Sequence, residues 1–333
     1  MQQYIIRRLL LNFVVIFLVA TMVFLALRID SDTVVRRRAG SCAGGNAQTQ
    51  PELYTECIRN TKAELGLDKS LPNQYGNFIW DLAHLDLGNS TFGNKDPISK
   101  EIKQRVGASV ELGLLQIVVA LAIAMPVGIL SAIRQDTWID YFLRFFSIAL
   151  LGIPVFVVAI LSILLLTVYG SGTFLPDWFG PQVNYASIID DPQQNIKNML
   201  APAIVGGLGT GAVMMRFLRS QMLEVLRQDY VRTAWAKGLK ERVVIVRHAL
   251  KNALIPVLTI VGILLGSVIS GNVVLEFIYR IPGIGFYVTS AASQNPDFPA
   301  VQGVVLTVAV SLVFINLLID IAYGWLDPRI RYS

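Results

Sequence analysis

Residues 110–133 read VELGLLQIVVALAIAMPVGILSAI, an apolar run whose one charge, Glu111, sits at its edge. A helix rises about 1.5 Å per residue and the hydrocarbon core of a bilayer is about 30 Å thick, so roughly 20 such residues cross it. Further blocks at 9–27, 145–168, 200–218, 253–275 and 301–323 meet or approach that length, the Gly-rich 200–218 being the weakest. Strands of a membrane barrel would be about ten residues long and alternate in polarity, and none of these blocks alternates. The chain therefore reads as an all-α integral membrane protein with six transmembrane helices, which satisfy their own backbone polar groups in lipid. Composition agrees: 54% of the 333 residues are hydrophobic and 15% charged, where a soluble domain carries about 25% charged residues.

Six spans put both termini on one side, and short loops retain Lys and Arg in the cytoplasm. One side carries Arg7, Arg8, Arg134, Arg144, the basic segment 216–251, Arg329 and Arg331; the short loops opposite offer Lys197 and Arg280. Both termini are expected to be cytoplasmic. Block 9–27 is read as a retained span rather than a cleaved signal, because Arg28-Ile29-Asp30 stands where a small-residue cleavage site belongs. The expected divisions are an N-terminal tail with the first span (1–28), an extracytoplasmic loop region (29–106), a membrane core (107–323) containing a cytoplasmic loop (216–253), and a C-terminal tail (324–333). The outer loop holds both cysteines, Cys42 and Cys57. In an oxidising compartment a disulfide is the favoured reading over two unpaired thiols, with Gly44-Gly45-Asn46 supplying a turn. Residues 51–86 read as one or two short helices, with Leu82, Leu85 and Leu87 packing on the outer ends of the spans. Arg36-Arg37-Arg38, close behind the first span, run against the charge rule.

Sites for chemistry are scarce. The chain has no Gly-x-x-x-x-Gly-Lys-Ser/Thr run and no Gly-x-Ser-x-Gly elbow. Its two histidines, His84 and His248, stand far apart and outside any metal-ligand spacing. No catalytic, metal or cofactor residues are expected. Asp320, with Asn316 one turn earlier, is the acid placed inside a predicted span; near a helix end it reads as paired with Arg329 or Arg331 rather than as a proton relay. Gly262, Gly266 and Ser270 recur every four residues in the fifth block and predict close helix packing. Gly206, Gly207, Gly209 and Gly211 in the fourth predict similar contact or a hinge.

The segment between the fourth and fifth blocks is far longer than a turn. It reads as two helices, 222–237 closing at Gly238 and 241–254 running through Pro256 into the fifth span. Held by the ends of two spans, such a segment is a lever; the alternative is a basic helix resting on anionic lipid. Here Asp229-Tyr230-Val231-Arg232-Thr233-Ala234-Trp235-Ala236-Lys237-Gly238-Leu239 resembles the coupling loop of binding-protein-dependent ABC importers. Arg247-His248-Ala249-Leu250-Lys251-Asn252-Ala253-Leu254-Ile255-Pro256 is similar to the dipeptide, oligopeptide and nickel permease branch, in which Arg232-Thr233-Ala234 stands where other importers have Glu-Ala-Ala. Glu64–Asp68, Asp86–Ser90, Pro282-Gly283-Ile284-Gly285, 299–303 and 326–332 match further motifs of that branch in order, while 36–57 departs from it.

The resemblance implies a type I ABC importer transmembrane fold and a permease subunit with no nucleotide site of its own. It implies a second, homologous permease subunit, two cytoplasmic ATPase subunits that use ATP and Mg, an extracytoplasmic substrate-binding protein, and the lipid of a bacterial or archaeal inner membrane. Nucleic acid is not among the partners. Tyr230, Arg232, Thr233, Ala234, Lys237 and Gly238 would form the docking element, with Ala234 and Gly238 small enough for close approach. Peptides lead as cargo, ahead of nickel chelates or oligosaccharides. A secondary transporter or channel would explain the spans but not the lever.

Overall fold

A computed structural model describes residues 2–29, 31–42, 51–91, 95–170, 173, 185–268, 270–293 and 297–326. Its helices are α1 (Gln2–Ile29), α2 (Ser31–Cys42), α3 (Pro51–Glu64), α4 (Leu71–Ala83), α5 (Ile98–Ile133), α6 (Trp138–Gly152) and α7 (Val155–Tyr169). There follow α8 (Pro192–Leu226), α9 (Asp229–Ala236), α10 (Glu241–Val243), a π-helical segment (Val244–Leu250), α11 (Lys251–Val268), α12 (Val273–Tyr279), α13 (Ile284–Ala291) and α14 (Phe298–Leu326). Among the described residues no strand forms, only an isolated bridge between Asn89 and Pro97. The chain divides into two compact units, Met1–Arg105 with Tyr287–Ser333, and Val106–Phe286. The sixth span is thus grouped with the N-terminal region rather than with the other spans of 107–323.

In the first unit α1 packs along α14. The end of α1 is held by α4. Phe24, 2% exposed, meets the rings of Tyr75 at 5.2 Å and Phe78 at 5.3 Å. Alongside, the Thr21 and Tyr75 hydroxyls share a 2.7 Å hydrogen bond and Arg28 donates to Gln74 at 3.2 Å. Helices α3 and α4 fill 51–86 as two short helices, and α2 precedes them where no helix was expected. A Cys42–Cys57 disulfide staples α2 to α3, with Ala39 and Cys57 buried beside Tyr54 and Ile58. Of the three arginines at 36–38, Arg38 braces the outer region, donating to Glu64 at 3.0 Å and to the Thr91 carbonyl at 3.1 Å.

The outer-loop motifs converge in this unit. Asp297, 3% exposed, accepts from the Ser90 hydroxyl at 2.6 Å and from the Thr91 hydroxyl and N–H at 3.0 and 3.1 Å. It also caps α14 through the Ala300 N–H. Leu87 reaches Gly303, where a β-carbon would come within 3.5 Å of it. Leu85, expected to pack beside it, is instead 83% exposed, its backbone turned to φ 58° as α4 ends. The Gly44–Asn46 turn, the 327–332 ending and the pairing of Asp320 with Arg329 or Arg331 lie outside the described residues.

The second unit corrects three boundaries. The third block is not one straight span but α6 and α7, bent by 96°. The cause is Pro154, which forces Ile153 into extended backbone (φ −95°, ψ 121°) and ends α6 at Gly152. The fifth block stops at Val268, and the chain turns through Gly271 at φ +71° so that Leu275 belongs to α12. The fourth block is one unbroken helix, capped by Asp191 accepting from the Gln194 N–H at 3.0 Å. Its glycines therefore serve contact rather than a hinge. A β-carbon on Gly207 would lie 2.6 Å from Val119, and one on Gly211 3.2 Å from the Ala120 carbonyl, whereas Gly209 has nothing within 4 Å. Gly207→Ala should accordingly destabilise the chain by about 1–3 kcal/mol through overpacking, and Gly209→Ala should be near neutral. Thermal unfolding of the detergent-solubilised variants checks the difference.

Candidate functional site

The helix in the segment between the fourth and fifth blocks is shorter and more sharply bounded than its sequence suggests. Residues 222–226 continue α8, the chain breaks at Arg227 and Gln228, and α9 stands alone as eight residues. Gln228 is extended (φ −73°, ψ 146°), so the helix starts anew at Asp229, an acid placed well for a helix N-terminus. At the other end Gly238 takes φ +75°, the left-handed region open to glycine. Its N–H closes on the Trp235 carbonyl at 2.9 Å.

One face of α9 is buried and the other is offered outward. Val231 and Ala234 pack on Val244, with Val225 and Leu226 completing the patch. Ala234, at 6% exposed, meets its own chain, because the three-residue spacing from Val231 sets both on one helical face. Tyr230, Arg232, Thr233, Trp235, Lys237 and Gly238 are exposed. Arg232 approaches Asp229 at 3.8 Å, a solvated pair that contributes little. Tyr230 also acts as a tie, since its hydroxyl accepts from the Asn252 amide at 2.9 Å and joins α9 to the start of α11. Around the helix, Arg227, Arg232, Lys237, Lys240, Arg242, Arg247 and Lys251 are exposed against Glu224, Asp229 and Glu241, so the surface favours an acidic partner.

Besides Asp297, two further buried carboxylates have no counterpart in the sequence analysis, which weighs Asp320 alone. Asp140 is fully buried at the start of α6. Arg219 of α8 grips it with two hydrogen bonds, at 2.9 and 2.8 Å, the Ser131 hydroxyl and Asp136 N–H donate at 2.5 and 3.0 Å, and Arg144 approaches at 3.4 Å. The acids at 136 and 140, one helical turn apart beside a span end, were the available signal. Glu276 of α12, also fully buried, lies one residue beyond the block read as the fifth span. Its carboxylate accepts from the Ser109 hydroxyl at 2.8 Å and the Phe286 N–H at 3.1 Å.

Of the small-residue stripe, Gly262 and Gly266 are buried on α11, but Ser270 lies in the turn after the helix and does not continue its face. A cavity of about 290 Å³ opens beside that turn, with Gln116, Thr210, Val268, Asn272 and Val274 in its walls. His84 bonds the Trp80 carbonyl at 2.8 Å within its own helix end. Among the described residues no group of three or more His, Cys, Asp or Glu could hold a metal ion.

Residues 124–332 match the family described as binding-protein-dependent transport system inner membrane component. The dipeptide transport system permease protein DppB of Escherichia coli K12 is 36% identical over 306 residues, 87% of this chain and 88% of that one. DppB of Alkalihalophilus pseudofirmus is 36% identical over 309 residues, 87% of this chain and 91% of that one. A peptide transport system permease protein of Brucella abortus strain 2308 is 37% identical over 280 residues, 84% and 86% of the two chains.

Breaking a buried ion pair from one side costs about 3–5 kcal/mol. Asp140→Asn should therefore lower the unfolding temperature of the solubilised chain sharply. Adding Arg219→Met to it should recover most of that loss; an unchanged midpoint for Asp140→Asn alone would show the pair to be idle.

Proposed function

The chain belongs to the family of binding-protein-dependent transport system inner membrane components, and from that premise we propose that it forms half of the translocation pathway of an ATP-driven peptide importer. The observation that carries the reading is α9, a short helix hung between two spans with a buried inner face and an exposed outer one, flanked on both sides by exposed cations. Each of two ATPase subunits receives one such helix, this chain supplying one and a homologous permease subunit the other. Closure of the ATPases on ATP tilts α8 and α11 together, because Tyr230 and the Val231–Ala234 patch join α9 to both. The pathway then opens to an external binding protein, and hydrolysis resets it. ATP and Mg belong to the ATPases.

The sidedness follows. Segment 227–251 faces the cytoplasm, as do both termini, and the region from α2 to α4 faces outward, where the Cys42–Cys57 disulfide fits an oxidising compartment. Peptides are the cargo, as the names of the relatives indicate for those proteins.

Trp235, 43% exposed on the outer face of α9, is the natural anchor for a partner groove. Trp235→Ala is expected to lower ATP-dependent peptide uptake by about tenfold or more while the amount of chain in the membrane stays unchanged. Gly238→Pro, which cannot adopt φ +75°, should uncouple ATP hydrolysis from uptake in the same assay. Full uptake by both variants would remove the docking role of α9.

A further inference from the structure

Glu276 is buried completely, yet its partners are neutral. Besides Ser109 and Phe286, the N–H groups of Gly285 and Asn272 point toward its carboxylate. The surroundings are shaped for it: a β-carbon at Gly271 or Gly283 would fall on the carboxylate, and one at Gly285 on the Val273 backbone beside it. The Ser109 hydroxyl bridges further, donating to Glu276 and accepting from the Ile284 N–H at 2.8 Å. At the far end of α12, the Tyr279 and Ser162 hydroxyls share a 2.6 Å hydrogen bond to α7. Residues 271–286 are thus clipped to the rest of the second unit at both ends, and Glu276 is the centre of one clip. The same stretch begins with Gly271, Asn272, Val273 and Val274, which form one wall of the 290 Å³ cavity.

We propose that Glu276 is a positioning residue for transport, holding residues 271–286 as the closing wall of the pathway in the resting importer. The proposal rests on the reading of the chain as half of that pathway. A carboxylate suits this role because it accepts several hydrogen bonds without donating any. Replaced by an amide, one of its two acceptors becomes a donor facing N–H groups, and the wall loses at least one buried hydrogen bond. The closed arrangement then becomes less favoured over the open one, and ATPase cycling no longer waits for a loaded binding protein.

The test uses the whole importer, this chain with its companion permease, ATPases and binding protein, in lipid nanodiscs and proteoliposomes. In Glu276→Gln, hydrogen exchange of the 283–286 amides should speed up while α8 and α11 stay protected. ATPase activity without binding protein should rise about fivefold, the shift expected from one lost buried hydrogen bond. Uptake of labelled trialanine per ATP should fall, and Ser109→Ala should give a smaller change in the same direction that adds little to Glu276→Gln. Unchanged exchange at 283–286 would overturn the proposal. So would faster exchange with an unaltered ratio of uptake to ATP, or a complex that fails to assemble with Ser109→Ala behaving as wild type. A wild-type importer that ignores trialanine yet shows the exchange and ATPase changes in Glu276→Gln would count against the cargo reading and leave the clip standing.

Discussion

The backbone-to-backbone approach of α5 and α8 is the constraint on which the second unit depends. Gly206, Gly207 and Gly211 of α8 lie against Gln116, Val119 and Ala120, and Gly128 of α5 returns the contact against Met215 and Leu218. Small residues are what permits two membrane helices to come this close, since lipid supplies no hydrophobic drive to press them together. Once the seam is made, α8 becomes the hub. Of its most apolar window 67% is buried, against 28% or less in the other candidate spans. Met214, Met215, Leu218 and Met222 extend the seam into a core shared with the π-helical segment and α11.

Polar groups placed in this apolar host fix orientation rather than bulk stability. Arg219 reaches from α8 to Asp140 and sets where α6 begins; Ser109 reaches from α5 to Glu276 and sets where residues 271–286 lie. In each case a buried carboxylate accepts several hydrogen bonds from neighbouring elements, the condition under which such groups specify one arrangement. The exposed helix α9 is held by a different device, an apolar inner face and the single Tyr230–Asn252 bond. It is thus attached to both neighbouring helices while Trp235 stays 43% exposed.

The all-helical membrane fold, the helical segment between the fourth and fifth blocks and the stop at Gly238 were legible in the sequence, because apolar length and a glycine stop are local signals. What was not legible depended on what surrounds each helix. The fourth block looked weakest by apolarity, yet it is the hub, since a span enclosed by protein needs glycine where a lipid-facing one needs bulk. Hydropathy alone ran the third block past Pro154 and the fifth past Gly271, although both punctuators were in view. The spacing of Ala234 from the apolar Val231 already placed both on one inward face. The partnership of Ser109 with Glu276 spans 167 positions, and no local pattern announces it.

The seven cations exposed around α9 against three acids make the pull of this surface on an acidic partner a property of the medium as well as of shape. The range of such charges shrinks from about 8 Å at physiological ionic strength to about 3 Å in molar electrolyte. Long-range attraction for any acidic partner therefore fades as ions are added, leaving contacts made at short range. An assembly of this kind would come apart most readily in concentrated brine, and the subunit would leave with its own fold intact, because the packing beneath α9 is apolar and indifferent to screening.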